Sequence, residues 1–175
     1  QSLTNILKKN INHKSGAKIF IHPVKKPHLY GVATLGKNKK VLKLIEKPKK
    51  TKSNLAVTGL YFFDNKVIDY TKKLKPSKRG ELEIIDLLNI YKSKKKLSAD
   101  LIGRGGSWLD TGSIKDFYSA SNFISTIEER QGLKIACIEE IALNKKWIKI
   151  KDIKNSINFY GNCNYSEYLK MLINA

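Results

Sequence analysis

Nine consecutive residues, Leu55 to Phe63 (LAVTGLYFF), constrain this chain more than any other stretch. They are apolar, rich in β-branched and aromatic side chains and free of proline, which is the composition of a strand. Gly59 sits in the middle, where a strand glycine marks a bulge or a place at which something approaches the backbone closely. A sheet has to be assembled around such a segment, and the remaining chain supplies its other parts.

Ala17 to Val24, bounded by Gly16 and Pro23, reads as a buried strand. Tyr30 to Leu35 and Val41 to Glu46 form a hairpin-like pair about a turn at Gly36 to Lys40, with Val41, Lys43 and Ile45 alternating against Leu42, Leu44 and Glu46. Pro48 ends the second of these, and Lys49 to Asn54 is a polar loop. Asp64 or Asn65 can cap a helix over Lys66 to Lys73. Glu81 to Lys94 is predicted helical: Leu82, Ile85, Leu88 and Tyr91 recur at helical spacing, with acids in the first turn and lysines near the last. Leu97 to Ile102 is a short strand feeding the segment Gly103 to Gly112, which holds four glycines, Trp108 and a single acid, Asp110. A long helix follows, from about Ser113 to Gln131, with Ile114, Phe117, Tyr118, Ser121, Ile124 and Ile127 on one face and Gly132 as its stop.

Gln1 to Asn12 has the pattern of an amphipathic helix with Leu3, Ile6, Leu7 and Ile11 on one side. Short helical segments are expected around Glu139 to Leu143, Ile148 to Ile157 and Tyr165 to Ile173. The class is therefore α/β over residues 1–132, followed by a helical tail over 133–175. No repeat and no Pro/Gly/Ser linker divides the two.

A net charge of +19 invites a nucleic-acid reading, yet Arg occurs only at positions 79, 104 and 130. Nearly all the positive charge is lysine spread through every segment, whereas base readout favours bidentate arginine. Specific nucleic-acid recognition is not expected, and only weak non-specific attraction to anions remains. No run of about 18 apolar residues exists to span a membrane. The two cysteines, Cys137 and Cys163, form neither a disulfide framework nor a metal cluster, which places the expectation in a reducing cytoplasm. His13, His22 and His28 lack a zinc-like partner set and read as surface or loop histidines.

Four features could carry chemistry. Glu46-Lys47 sets a carboxylate beside an ammonium at a strand end, where the chain can turn both toward one pocket to hold a hydroxyl and a phosphate; a solvated charge pair is the alternative. Val57-Thr58-Gly59 could offer backbone groups to a ligand, or could simply be a bulge. Asp110 suits a hard cation such as Mg²⁺, while Asp110 or Thr111 could instead cap the helix that follows. Trp108 could stack on a ligand ring or lie buried beneath its loop. There is no Walker-type loop, no G-x-G-x-x-G, and no serine or cysteine set up as a nucleophile.

Taken in order, Tyr30-Gly31-Val32, Glu46-Lys47-Pro48, Ser53-Asn54 with Ala56-Val57-Thr58-Gly59-Leu60-Tyr61, Arg79-Gly80-Glu81-Leu82-Glu83-Ile84, Gly103-Arg104-Gly105, Trp108-Leu109-Asp110-Thr111-Gly112 and Glu128-Glu129-Arg130-Gln131-Gly132 closely resemble the glucose-1-phosphate thymidylyltransferase family. Lys134-Ile135-Ala136-Cys137, followed by Glu139-Glu140-Ile141, extends the likeness almost to the end of the chain. The resemblance implies a Rossmann-like nucleotidyltransferase fold and the reaction of dTTP with glucose 1-phosphate to give dTDP-glucose and pyrophosphate, a step toward dTDP-rhamnose. It implies that Glu46 holds sugar hydroxyls and Lys47 the sugar phosphate, and that Gly31 and Val57 contact the sugar through backbone groups. Tyr30 and Tyr61 would wall the pocket, with Thr58, Gly59 and Trp108 lining it. Asp110 would be one of two Mg²⁺ carboxylates. Gly103, Ala136, Glu140 and Ile141 fall where bacterial members carry a regulatory nucleotide-sugar site.

The family also carries a glycine-rich triphosphate loop, a base-binding region and a first metal aspartate, none of which occurs within these residues. The chain begins just after the segment bearing that aspartate and does not begin with Met. The expectation is a C-terminal part of such an enzyme, incomplete at its N-terminal side, inactive alone, and folded as a homo-oligomer or with a separately encoded N-terminal half. The alternatives are a non-catalytic module binding dTDP-sugars or serving assembly, and a non-specific nucleic-acid binder.

Overall fold

A computed structural model describes residues 3–103 and 106–174. Gln1 and Ser2 of the expected first helix, and Arg104 and Gly105 of the glycine-rich segment, lie outside the described residues. The chain folds as two compact units, Gln1–Trp108 and Leu109–Ala175.

The first unit is a five-stranded sheet in the order β3-β2-β4-β1-β5. Its strands are β1 (Ala17–Pro23), β2 (Val32–Leu35), β3 (Val41–Ile45), β4 (Leu55–Phe63) and β5 (Leu97–Leu101), accompanied by helices α1 (Leu3–Asn10), α2 (Val67–Thr71) and α3 (Ile84–Ser93). The nine residues of β4 lie centrally, antiparallel to both β1 and β2. Among the described strands only the β1–β5 pair is parallel. β2 and β3 form the expected antiparallel hairpin, with Val32 opposite Ile45.

Alternation sorts the sheet residues by face. Ala17, Ile19 and Ile21 of β1 and Leu55, Val57, Tyr61 and Phe63 of β4 join Ala33, Leu44, Ile85, Leu87, Leu88 and Tyr91 in one core beneath α3. α3 touches both outer strands, β3 and β5, and an antiparallel bridge between Lys40 and Ser98 draws those two edges together. The sheet thus curls around α3. Leu82, expected on the apolar face of this helix, precedes it and is 60% exposed, because the helix begins only at Ile84.

Gly59 occupies the predicted bulge. Ile19 pairs with Tyr61 while Ile21 pairs with Val57, so three residues of β4 stand opposite Phe20 alone. Thr58 is buried there and donates its hydroxyl to the Phe20 carbonyl at 2.9 Å.

The second unit contains α4 (Ile114–Gln131), α5 (Ile138–Asn144), α6 (Ile150–Tyr160) and α7 (Asn164–Asn174). Ser113 caps α4 by accepting from the Asp116 N–H at 3.1 Å, and Gly132 closes it in the left-handed region at φ 66°. The cap is therefore neither Asp110 nor Thr111. A small core of Cys137, Ile153, Tyr168 and Leu169 unites α5, α6 and α7. The expected apolar face of α4 is largely unburied: Ile114 is 91% exposed and Tyr118 68%, and only Ala120 counts as buried. Among the described residues no helix is long and apolar enough to cross a membrane.

Candidate functional site

The most convergent polar geometry lies at one end of the sheet, where β1 finishes, β2 begins and β3 turns away. Two backbone hydrogen bonds stitch the ends together: Lys47 N–H donates to the Tyr30 carbonyl at 3.1 Å, and Val57 N–H to the Gly31 carbonyl at 2.8 Å. Gly31 is demanded by crowding, since a Cβ there would lie 2.7 Å from the tip of Ile85 and 3.0 Å from Glu46 Oε2. Glu46 therefore folds back over the glycine that opens β2. Lys47 adopts a positive φ of 39°, the turn that releases the chain from strand alternation so that consecutive side chains need not point apart. Its ammonium is near enough to oppose the shift of the Glu46 carboxyl described next.

Burial pushes the Glu46 carboxyl above its usual range, Glu83 adds to this, and the Lys47 and Arg79 cations pull against it. Burial likewise raises the Tyr61 phenol, and the charge of Glu46 raises it further. Arg79 binds this group together. Its guanidinium stands 3.7 Å from Glu46, 3.4 Å from Glu83 and 2.7 Å from Glu81, and Ser77 donates to Glu83 at 2.8 Å. The sequence reading used Arg79 and Glu83 only as motif letters. Nothing local signals their role, because the loop from Ser77 to Glu83 reaches Glu46 only through the packing of α3.

Trp108 meets Tyr30 edge to face with ring centroids 5.1 Å apart, and His22 at 6.4 Å. It is half-buried within an aromatic corner beside Gly31, intermediate between the two fates left open for it. His22 is a strand residue and not a loop one, and its Nδ1 is buried without a hydrogen-bond partner. Thr58 spends its hydroxyl inside the sheet, and a Cβ on Gly59 would meet nothing within 4 Å. These two shape the bulge; the ionic groups at this end of the sheet are Glu46, Lys47 and Arg79, the last already paired with Glu46, Glu81 and Glu83. Such a set can seat a polyol phosphate, the carboxylate taking hydroxyl donors and the two cations taking the anion.

Asp110 belongs to the second unit. Its carboxylate curls over Gly112, with Oδ2 3.1 Å from where a Cβ on that glycine would sit. No hydrogen bond or ion pair engages it among the described residues. A bare, half-buried carboxylate is chemically suited to one coordination position on Mg²⁺, but no group of three or more His, Cys, Asp or Glu able to hold a metal occurs among the described residues.

Of the positions expected to be regulatory, Gly103 lies in the first unit, its carbonyl accepting from Gly106 N–H at 2.9 Å. The other three cluster near the start of α5. Ala136, at φ 57°, lines a pocket of about 550 Å³ with Glu128, Lys134, Cys137, Cys163 and Tyr165. Glu140 accepts from the Tyr168 hydroxyl at 2.6 Å, and Ile141 is 45% exposed. Behind the pocket, Glu139 accepts from the Tyr165 hydroxyl at 2.5 Å, with the Cys137 sulfur 3.2 Å from that same hydroxyl.

Comparison with known proteins identifies the family. Residues 1–127 match the family described as Nucleotidyl transferase. The chain is 42% identical over 173 residues to a glucose-1-phosphate thymidylyltransferase of Neisseria gonorrhoeae, covering 99% of this chain and 60% of that protein. It is 44% identical over 170 residues to the enzyme of the same name from Xanthomonas campestris, covering 97% of this chain and 58% of that one. It therefore spans about three fifths of the length of these curated relatives. Among solved structures it is similar to a putative glucose-1-phosphate thymidylyltransferase from Bacillus anthracis, with a TM-score of 0.61 and 38% identity over 70% of this chain and 49% of that one. A UDP-glucose pyrophosphorylase complexed with UDP-glucose gives a TM-score of 0.58 at 25% identity, covering 71% of this chain and 48% of that one. With its mixed sheet, its Rossmann-like neighbours and a family match over residues 1–127, the chain belongs to the nucleotidyl transferase family.

Proposed function

We propose that these residues form the sugar-phosphate half of a glucose-1-phosphate thymidylyltransferase. The observation that carries the reading is Glu46 folded over Gly31 at one end of the sheet, with Arg79 3.7 Å from its carboxylate and Lys47 next in the chain. Glu46 takes the sugar hydroxyls, and its raised carboxyl range is the signature of a desolvated, hydrogen-bond-seeking acid. Lys47 and Arg79 hold the phosphate, Tyr61 and Tyr30 wall the ring, and Trp108 backs Tyr30. In the reaction a phosphate oxygen of glucose 1-phosphate bonds to the α-phosphorus of dTTP as the bond to pyrophosphate breaks. The work asked of the protein is positioning and neutralisation of charge. Asp110 would supply one carboxylate to Mg²⁺, whose part is to neutralise phosphate charge. Residues 1–175 provide no triphosphate cradle, so by themselves they bind without turning over.

The test is a calorimetric titration of the chain with glucose 1-phosphate, with and without Glu46→Gln. Binding that weakens at least tenfold in the variant, together with background pyrophosphate release from dTTP and Mg²⁺, supports the reading. Affinity indifferent to Glu46, or clear turnover, sinks it. A second reading, a non-catalytic module for dTDP-sugars, is favoured only by the pocket beside Ala136. It requires dTDP-glucose binding that survives Glu46→Gln intact.

A further inference from the structure

At the opposite end of the sheet, where β1 and β5 begin and β4 ends, two adjoining pockets of about 500 and 300 Å³ share His13, Ser15 and Lys96. Lys14 and Lys66 line the larger and Lys95 the smaller, so four lysines converge on one cleft. Among the described residues none of the four is in an ion pair within 4 Å. One carboxylate is present, Asp64, and both its oxygens are committed: Oδ2 accepts from Gly16 N–H at 2.7 Å, and Oδ1 from the Tyr91 hydroxyl at 2.8 Å and Lys66 N–H at 3.1 Å.

The frame under the lysines is fixed by the backbone. Gly16 takes φ 84°, and a Cβ there would fall 2.4 Å from the Lys96 carbonyl oxygen, which no side chain can tolerate. That same carbonyl accepts from Ala17 N–H at 2.8 Å, and Asp64 N–H donates back to the Gly16 carbonyl at 2.9 Å. Lys95 is itself left-handed, at φ 56°, which turns Lys95 and Lys96 out of α3 toward the cleft. His13, between the two pockets, has a buried Nε2 without any hydrogen-bond partner. Four ammonium groups without an ion pair and a lone acid whose oxygens are already engaged leave this cleft with an excess of positive charge.

We propose that this pole binds the phosphate group of a small phosphorylated ligand, held by Lys14, Lys66 and Lys96 and oriented by the Ser15 hydroxyl. It is separate from the sugar-phosphate site, which lies where β1 ends.

The test follows backbone amide resonances of the chain as inorganic phosphate, and in a second arm glycerol 3-phosphate, is added at constant ionic strength. Saturable shifts confined to residues 13–17, 64–66 and 95–98 are expected. Lys66→Gln/Lys96→Gln should weaken binding about tenfold, as loss of two charge-assisted contacts implies, while Lys49→Gln/Lys50→Gln leaves it unchanged. Tighter binding of glycerol 3-phosphate identifies a phosphomonoester as the ligand, and equal binding identifies free phosphate. Shifts that never saturate, a control variant that loses as much, or no binding in either arm overturns the proposal. So does a short oligonucleotide that binds the same amides more tightly than either phosphate, since the pole would then be a nucleic-acid face.

Discussion

Two helices of this molecule carry the same kind of sequence pattern and meet different fates. α3 presents Ile85, Leu88 and Tyr91 at helical spacing, and all three are buried in the curl of the sheet along with Leu87. α4 presents Ile114, Phe117, Ile124 and Ile127 just as regularly, yet Ile114 is 91% and Phe117 60% exposed. Amphipathicity states that a face repels water; it does not state whether the chain that carries the face also carries its cover. α3 is held by strands that follow and precede it closely, whereas the small core of the second unit is built by α5, α6 and α7 without α4.

The contrast can be broken most forcefully at Leu88. It is fully buried, so Leu88→Ala should cost about 2–5 kcal/mol, read as loss of hydrogen-exchange protection across β1 and β4. If the loss is small, α3 is not the keystone of its unit. A smaller effect is expected one turn along. Tyr91→Phe removes the hydroxyl that donates to Asp64, at a cost of about 1 kcal/mol at neutral pH by urea unfolding. Its pH dependence has a definite sign. Burial alone would raise the Asp64 carboxyl, but the hydrogen bonds from Gly16 N–H, Tyr91 hydroxyl and Lys66 N–H prevail and hold it below the usual carboxylate range. A depressed carboxyl stabilises the fold above its ordinary pKa and loses that contribution as pH falls through the folded value. The difference between Tyr91→Phe and the parent should therefore shrink on acidification, while that of Leu88→Ala stays. The least effect belongs to α4: Ile114→Gln should change stability by no more than about 0.5 kcal/mol in either direction. A larger loss would mean that this face is covered in solution.

Local chemistry made much of this legible. β4 was readable to the residue because its β-branched and aromatic run has no competing period, and the end of α4 was readable because Gly132 alone supplies a left-handed stop. Glu46 and Lys47 stood out as a charged pair at a strand end, and Glu46 Oε2 lies 3.0 Å from where a Cβ on Gly31 would sit. What stayed hidden depends on residues far apart in the chain. The antiparallel pairing of β1 with β4 is a tertiary choice that no single strand encodes. Arg79 reaches Glu46 across 33 positions, and the sequence could offer Asp110 or Thr111 as the α4 cap only by residue type, whereas the backbone chose Ser113. His22, grouped with surface or loop histidines for want of a metal-ligand set, lies inside the strand Ala17–Pro23.

The bridge between Lys40 and Ser98 has a consequence for the order in which this unit is made. Among the described strands β1 precedes its parallel partner β5 by some 80 residues, as the pairing of Ala17 with Leu97 records. Until Leu101 has emerged from the ribosome, that pairing and the ring around α3 stay open. The hairpin of β2 and β3 can form at once, since its strands are neighbours in sequence. Closure of this sheet thus waits on residues made some 80 positions after β1, and the β1 edge that β5 takes is the part open to mispairing until then.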